Sequence, residues 1–588
     1  GSKDRARLAV LSAPMKQLGD DVRSWIELGE IALGEGDWKN AIAAFEHVLR
    51  FDPENLAARV RLGEAQNIAL ARGERVDPRR TLAQALAHSE HNSRARLAMA
   101  RAYVVDRDYE AASKQYKLLM AADPSSFVAK REYARTLYWN HQYEEADAAY
   151  DAVVDENLAE VAPIDPYGKA SSSSVYNGGL DYEAALTTAE NVELERDAKK
   201  LKDYRPRQAE ERYRELIAAE PANFEARFDL AQLYHSTGRT QKAIGEYEEI
   251  MRLSPLHREA PLAKAQAEIL QNPRVVAGLY TSNARGRDGL YAIDITDYFV
   301  EYQHPIGDHD EYFGAGYGWR RYEPDDGTPV LGSMFLASGR KKLGEHTALT
   351  ARLEMPTWDE DYVSSRLLYR LGMQHETWGG LRVSAEVFNE MVAENDATLL
   401  SDIHRTGFRA GLAYKSSPRL DYGVSGMIAE YSEADPASFP DDGGNSRYEV
   451  NAFGSYLVSF APKQLQLLGK ADFISFDGDN DGIVFDSGDP LTNLNHPYFA
   501  PGGYSVYSAV AEWKHWLNQD YFIGANEFWY SIGLRAAIDD ESEMFQEFWI
   551  GAHYDFASWA SVDLRTQSLS SSVLDTSTNL LYFTLRWP

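Results

Sequence analysis

The sequence predicts a two-part protein, in which an N-terminal α-helical repeat solenoid is followed by a sixteen-stranded antiparallel transmembrane β-barrel. Three observations predict this fold. A pattern of small and aromatic residues recurs in the first half, at a spacing of 34 residues in its best copy. From residue 274 onward, strand-like runs alternate between an apolar and a polar face. Their connections alternate between short and long. We expect domains at residues 1–271 and 272–588.

The repeat pattern is clearest at residues 22–55. Gly29 and Ala41 are small where two helices would cross, Trp25 and Phe45 would fill the space between them, and Pro53 would end the second helix. These positions match the tetratricopeptide repeat. A late copy places its core at Tyr234, Ala243, Tyr247 and Pro255. A solenoid of such repeats offers an extended surface for proteins or polymers, and we expect its aromatic residues to be mostly core.

The repeat pattern fails between about residues 159 and 200. Breakers such as Pro163 and the serine run from Ser171 predict an irregular insertion, within which residues 182–200 show a helical pattern that is first acidic and then basic. Two interpretations stay open: a tolerated loop insertion, or a mobile segment that touches a partner or the pore.

The second half contains sixteen runs long enough to cross a bilayer when tilted. Seven tight turns against eight other connections predict an even barrel with both ends on one side, the short turns facing the periplasm. A soluble all-β domain is the alternative. Loop 478–503 is a candidate lid because it is the longest connection. The predicted strands are 274–285, 290–305, 311–321, 331–342, 346–355, 363–376, 381–392, 401–414, 420–432, 446–460, 465–477, 504–516, 521–537, 544–556, 560–569 and 577–587.

The polar face of these strands would line a watery lumen. Its charges would either form cross-strand ion pairs that stiffen the wall or offer a hydrated track of donors and acceptors. Its aromatic rings suit sugar rings, whose faces are apolar, but could equally fill lumen space. The candidates for polymer contact are Trp529, Trp549, Tyr582, Phe388, Glu527, Glu547, Arg535, Asp563, Arg565, Arg366, Arg370 and Arg409.

Composition excludes several classes of function. The chain has no cysteine, which rules out disulfides and thiolate metal sites, and its net charge of −30 argues against binding nucleic acid. Acidic loops in the second half favour neutral or cationic cargo, or contact with lipopolysaccharide through divalent cations. The chain opens with Gly1-Ser2 and then enters a helical pattern, so we expect a shortened form of a longer exported protein.

No catalytic motif stands out, so we predict no enzymatic activity and no cofactor. The stretch that begins with Asp477, Asp479 and Asp481 resembles the start of a calcium loop, but Gly488 stands where that loop needs glutamate. It is only a weak metal candidate.

Helical repeats followed directly by a sixteen-strand barrel resemble the bacterial exopolysaccharide export porins, which include the cellulose synthase operon protein C family and the poly-N-acetylglucosamine and Pel exporters. The stretch from His496 to Tyr504 (HPYFAPGGY) is similar to the Tyr-Phe-Ser-Pro-x-x-Tyr stretch of the cellulose family, with Ala500 in place of serine.

This resemblance implies an outer-membrane channel that exports a cellulose-like polysaccharide from a Gram-negative bacterium. It also implies periplasmic repeats that guide the polymer or dock synthase components. The expected partners are the polysaccharide, outer-membrane lipid and the synthase, and no nucleic acid. A cationic, partially deacetylated aminosugar polymer is the alternative cargo. A barrel-anchored adhesin or assembly scaffold without transport is the alternative function.

Overall fold

The computed structural model describes residues 22–34, 37–71, 74–155, 189–253, 259–308, 310–325, 327–432, 444–479, 496–518, 527–557 and 559–587. The chain divides into two compact units. One contains most residues up to Lys264, and the other contains Ala265–Pro588 with the short segments Asp203–Arg205 and Tyr234–Gln241. Among the described residues, no helix is both long and apolar enough to cross a bilayer.

The N-terminal region is built from helices, and within residues 22–219 each described helix packs against the next one in sequence. Polar caps begin several of them: the side chains of Asp37, Asn92, Asp108 and Ser126 each accept a hydrogen bond from a first-turn amide. The helices are α1 Val22–Gly34, α2 Trp38–Phe51, α3 Leu56–Ala71, α4 Pro78–His88, α5 Ser93–Val105, α6 Tyr109–Ala122, α7 Phe127–Trp139, α8 Tyr143–Asp155, α9 Ala189–Leu201, α10 Pro206–Ala219, α11 Phe224–Ser236, α12 Thr240–Leu253 and α13 Glu259–Leu270.

The predicted repeat core is present. Trp25, Ala41 and Phe45 are buried in one cluster between α1, α2 and α3. A Cβ atom on Gly29 would lie 2.7 Å from the Phe45 ring, so only glycine fits at this crossing. Pro53 follows the end of α2. In the late copy, the side chains of Tyr234, Ala243 and Tyr247 are buried, whereas Pro255 lies outside the described residues.

The predicted insertion contains a helix where the sequence shows a helical pattern. Residues 189–201 form helix α9, which packs against α8 and α10. Val192 on this helix is buried with Ala134 and Tyr150, so α9 continues the apolar packing of the repeats without matching their sequence signature. The rest of the predicted insertion, up to residue 188, lies outside the described residues.

A buried charge network joins α9 to its neighbours. The guanidinium of Arg131 on α7 contacts Glu195 on α9 and lies 3.1 Å from Glu220, and Arg135 also donates to Glu195. The hydroxyl of Tyr150 donates to Glu195 at 3.1 Å. All these carboxylates have cationic partners, as buried charges require.

The second region is a closed barrel of sixteen antiparallel strands, with β1 paired to β16 and every other strand paired to its sequence neighbours. The strands are β1 Arg274–Gly286, β2 Tyr291–Pro305, β3 Tyr312–Pro324, β4 Val330–Leu343, β5 Thr347–Trp358, β6 Leu368–Glu376, β7 Leu381–Met391, β8 His404–Lys415, β9 Leu420–Ser432, β10 Asn445–Ser459, β11 Lys463–Phe476, β12 Tyr504–Asn518, β13 Phe528–Asp539, β14 Met544–Ala557, β15 Ala560–Ser570 and β16 Leu574–Arg586.

Side chains alternate across this wall as the sequence predicts. On β14, Phe548, Ile550 and Tyr554 are exposed on the outer face, whereas Glu547 and Trp549 lie on the inner face. Exposed apolar side chains cover the outside of every strand pair in the same way. An outer surface of this kind is typical of a barrel embedded in lipid.

Two predictions about the loops were wrong. Strand β6 begins at Leu368 rather than at residue 363, so Arg366 lies in the connection between β5 and β6 and not on a strand. Residues 396–400, predicted as loop, form a short helix, α14 (Asp396–Leu400), whose first turn is closed by a capping box between Asn395 and Thr398.

Candidate functional site: the barrel lumen

Acidic and basic side chains alternate around the inner wall and pair both across neighbouring strands and along single strands. The nitrogen–oxygen distance is 2.9 Å between Arg409 and Glu386, and 3.0 Å between Arg370 and Glu390. Arg535 lies 3.2 Å from Glu547. Further pairs at 3.3 Å or less join Arg320 to Asp297, Arg352 to Glu354, Arg382 to Asp421, Arg405 to Glu390, Arg447 to Glu449 and Lys470 to Asp472. The wall is therefore polar but largely charge-compensated.

Two of the predicted aromatic contacts are buried. Phe388 lies on the inner face of β7 but is 0% exposed within an apolar cluster, with the Arg409 guanidinium over its ring. Trp549 is 6% exposed because its indole lies over Gly533, where a Cβ atom would come within 2.0 Å of the ring. Neither ring offers a face to a polymer in this conformation.

Trp529 is partly exposed, but its ring is already engaged. The ammonium of Lys514 lies 3.5 Å from the centroid of Trp529 and 4.4 Å from that of Trp516. The His553 ring lies nearly parallel to Trp529, with centroids 5.7 Å apart. The imidazole Nδ1 of His553 is 2.6 Å from Asp563.

Tyr582 is the predicted aromatic contact that remains accessible, with 37% of its surface exposed. Its ring centroid lies 6.2 Å from that of Phe299, and both rings fit because Gly278 between them has no side chain. Phe299 was not among the predicted lumen residues, although it shares the inward parity of Glu301 on β2. Together these two rings form an apolar patch on an otherwise polar wall.

The remaining predicted contacts lie in different settings. Arg565 is exposed on the inner face of β15, 5.7 Å from the Trp549 ring. Glu527 precedes β13, and its backbone pairs with Asp555. Arg366 is exposed in its connection and is not part of the strand wall.

Two connections fold inward at the end of the barrel that carries the longer loops. We call residues 392–403 and 496–503 the inner cap. Tyr498 and Ala500 pack against Tyr431 and Phe476, whose side chains lie on the inner faces of β9 and β11. Leu399 packs instead against the inner faces of β2, β3 and β4. The HPYFAPGGY stretch is therefore part of this cap, as is the described portion of the predicted lid loop.

The side chain of Asn395 holds the inner cap together. Its amide nitrogen donates to the carbonyl of Leu290 at 3.0 Å and to that of Pro497 at 2.7 Å, and its oxygen accepts from the Thr398 amide at 2.9 Å. These carbonyls belong to the β1–β2 and β11–β12 connections, which are far apart around the ring. One buried amide thus links three loops across the lumen.

A second link lies beside Asn395. The guanidinium of Arg287, in the β1–β2 connection, lies 4.0 Å over the Phe499 ring and donates to the Tyr504 hydroxyl at 2.7 Å. Burial raises the pKa of the nearby Glu394 carboxyl, against the opposing charges of Arg405 and Arg447.

The weak calcium candidate gains no support from this geometry. Within the part of the chain that the structure describes, no group of three or more acidic or histidine side chains is arranged to hold a metal ion. Asp477 instead accepts a hydrogen bond from Tyr448, and Asp481 lies outside the described residues.

Comparisons with known proteins identify the repeats. Residues 4–126 match the family model of the cytochrome c-type biogenesis protein H TPR domain, and residues 201–268 match that of the tetratricopeptide repeat. No curated protein sequence matches the chain.

Solved structures resemble either part at low identity. Pseudomonas aeruginosa OccK8 (OprE) is 9% identical, with 54% of this chain and 98% of that chain covered and a TM-score of 0.28. The CymD monoaromatic hydrocarbon channel is 11% identical, with 55% and 92% covered and a TM-score of 0.26. A tetratricopeptide repeat protein from Parabacteroides merdae is 17% identical, with 43% and 91% covered and a TM-score of 0.27. TM-scores this low carry no argument about function.

Proposed function

We propose that the protein is an outer-membrane channel, without enzymatic activity, that exports a neutral, cellulose-like polysaccharide. The barrel crosses the membrane, and the repeats lie in the periplasm, where they guide the polymer or dock synthase components. The first and last of the sixteen antiparallel strands pair directly. The start of β1 and the end of β16 therefore lie on the same side of the barrel, that of the short turns. In membrane barrels that side faces the periplasm.

The observation that carries this proposal is the inner wall itself. It combines an accessible ring at Tyr582, which lies beside the partly buried Phe299, with solvated ion pairs such as Arg409–Glu386. Apolar ring faces complement the faces of sugars, and paired charges supply hydrogen-bond donors and acceptors for hydroxyl groups. A polymer of uncharged sugars can exchange contacts along such a wall without binding tightly at one point.

The charge pairing favours a neutral cargo over the cationic aminosugar polymer. Acidic residues outnumber basic ones about two to one from residue 275 onward. The inner-wall acids Glu354, Glu386, Glu449 and Glu547 nevertheless lie within 3.2 Å of an arginine nitrogen. Neutralised acids attract a polycation only weakly.

The proposal is tested in the bacterium that encodes the chain. Deletion should trap polysaccharide inside the cell, and the wild-type chain should restore it to the medium. Tyr582→Ala should restore less secretion, whereas the matched change Tyr554→Ala, on the outer face of β14, should restore it fully. Equal secretion with and without the chain would refute export, and equal secretion by both variants would remove the aromatic patch from the mechanism.

A barrel-anchored adhesin or scaffold is the second candidate, and the inner cap favours it. A lumen bridged by Asn395 at its loop end is expected to pass little in this conformation. Ion conductance across a planar bilayer separates the two. A barrel that stays non-conducting even when the cap is weakened would support an anchor.

A further inference from the structure

Two tryptophans on the inner wall, Trp516 and Trp529, contact the ammonium group of Lys514, and we call this pair of rings the ammonium box. The ammonium of Lys514 lies 3.5 Å from the centroid of Trp529 and 4.4 Å from that of Trp516. Both distances are within the range at which an aromatic ring attracts a cation. The two tryptophans are directly opposite each other on β13 and β12, which places both indoles on the inner face.

Both acidic and basic groups surround the box, since the His553 ring that is stacked on Trp529 pairs with Asp563 at 2.6 Å. Glu527, Glu512 and Asp563 all act electrostatically on the Lys514 ammonium. Lys514 nevertheless forms no salt bridge with a carboxylate of any residue that the structure describes. Its direct contacts are therefore the two ring faces, an arrangement that proteins use to recognise ammonium ligands.

We propose that Lys514 is a specificity-determining residue, which occupies an ammonium-binding box and so keeps the channel from holding cationic sugar polymers. Without this side chain, two indoles and nearby carboxylates would bind the ammonium group of a deacetylated aminosugar and slow its passage. With it, the box is full and carries a positive charge that repels such a group. Uncharged polymer passes the same point without competing for the rings.

This inference deepens the proposed function, because it rests on the lumen as the route of the polymer, but its test does not require transport. Binding is measured by calorimetry on the purified full-length protein in detergent. The probes are a glucosamine tetramer and an N-acetylglucosamine tetramer, which match in length but differ in charge. If the predicted change in oligomer binding is not found, the secretion experiment still tests the proposed export. If secretion is unaffected, the binding measurement still tests the ammonium box.

The wild-type protein should bind the glucosamine tetramer no more tightly than the N-acetylglucosamine tetramer. Lys514→Ala should bind the glucosamine tetramer about tenfold more tightly than the wild type does, because the vacated indoles then offer cation–π contacts to the ligand. The control is the double change Lys470→Ala/Asp472→Ala, which removes another inner-wall lysine together with the carboxylate that it contacts at 2.8 Å. It should behave as the wild type.

A second change identifies the box as the cause. Adding Trp529→Leu to Lys514→Ala should abolish the gained affinity. If Lys514→Ala fails to fold, Lys514→Gln removes the charge at nearly constant volume and should show a smaller gain. Unchanged affinity in the folded Lys514 variants, or an equal gain in Lys470→Ala/Asp472→Ala, would overturn the proposal.

Discussion

Arginine–glutamate pairs occur in both parts of the molecule, and the pairs Arg131–Glu195 and Arg409–Glu386 differ sharply in their exposure to water. In the solenoid, Arg131 and Glu195 are each 1% exposed. In the barrel, the side chains of Arg409 and Glu386 are 43% and 31% exposed. Breaking a buried pair leaves a charge without a partner, whereas a solvated pair is already screened. The same residue types therefore hold the fold together in the solenoid and remain available to passing solutes in the lumen.

The largest effect should come from the buried network. Glu195→Ala would leave Arg131 and Arg135 with less compensation inside the solenoid, and it should lower the free energy of unfolding by about 3–5 kcal/mol. Denaturant titration of the full-length protein, followed by the helical circular dichroism signal, measures this change. The matched control, Glu386→Ala, should change it by about 1 kcal/mol or less. Similar losses in both variants would break the comparison.

Acid should weaken the same network. Burial alone would raise the pKa of Glu195, but the charges of Arg131 and Arg135 outweigh it and hold the pKa well below its ordinary value of 4.5. The contribution of Glu195 to stability is therefore complete above pH 4.5 and falls as the pH drops below that value. Unfolding of the wild type and Glu195→Gln at a series of pH values should show their difference shrinking below pH 4.5. A difference that stayed constant would contradict this account.

An intermediate case is the buried but uncharged Asn395. Asn395→Ala removes two hydrogen bonds that close the inner cap. Leaving a buried polar group without its hydrogen bond costs about 1–3 kcal/mol, so the equilibrium between the closed and open cap should shift about tenfold or more toward the open state. Conductance across a planar bilayer should rise accordingly. Asn451→Ala, which removes an inner-wall amide that donates to Glu449 on the same strand, should not raise it. Equal conductance in all three proteins would show that the cap is not held by Asn395.

The smallest effect on stability should come from a solvated lumen pair. Glu386→Gln leaves Arg409 exposed to water, so the free energy of unfolding should change by about 1 kcal/mol or less. The unpaired guanidinium should instead shift ion selectivity toward anions, which reversal potentials in a salt gradient measure. A large loss of stability with unchanged selectivity would place this pair with the buried network.

Local patterns predicted the strands because successive side chains point alternately to the outside and to the lumen of the barrel. Apolar and polar residues therefore alternate along each strand. The repeats were predicted for a similar reason, since Gly29 and Phe45 must fit one another within a single helix pair. The helical pattern at residues 182–200 was predicted, but the place of helix α9 in the solenoid was not, because its charged contacts come from residues distant in sequence, such as Arg131. Contacts between charged residues that are far apart in the chain leave no periodic pattern in the sequence.

The accessibility of the predicted lumen residues could not be predicted either. Alternation placed Phe388 and Trp549 on the inner face, but their burial depends on the inner cap and on Gly533 of the neighbouring strand. The role of Asn395 depends on carbonyls more than 100 residues away in either direction. Such contacts arise only when the barrel closes, so they require the three-dimensional structure.

The most direct test of the account is the ionic current through purified Asn395→Ala protein in a planar bilayer during addition of neutral β-linked glucose oligomers. The account predicts a measurable current that longer oligomers block reversibly, with weaker block when Tyr582→Ala is added. A current that no oligomer affects, or no current at all, would contradict a lumen built to conduct polysaccharide.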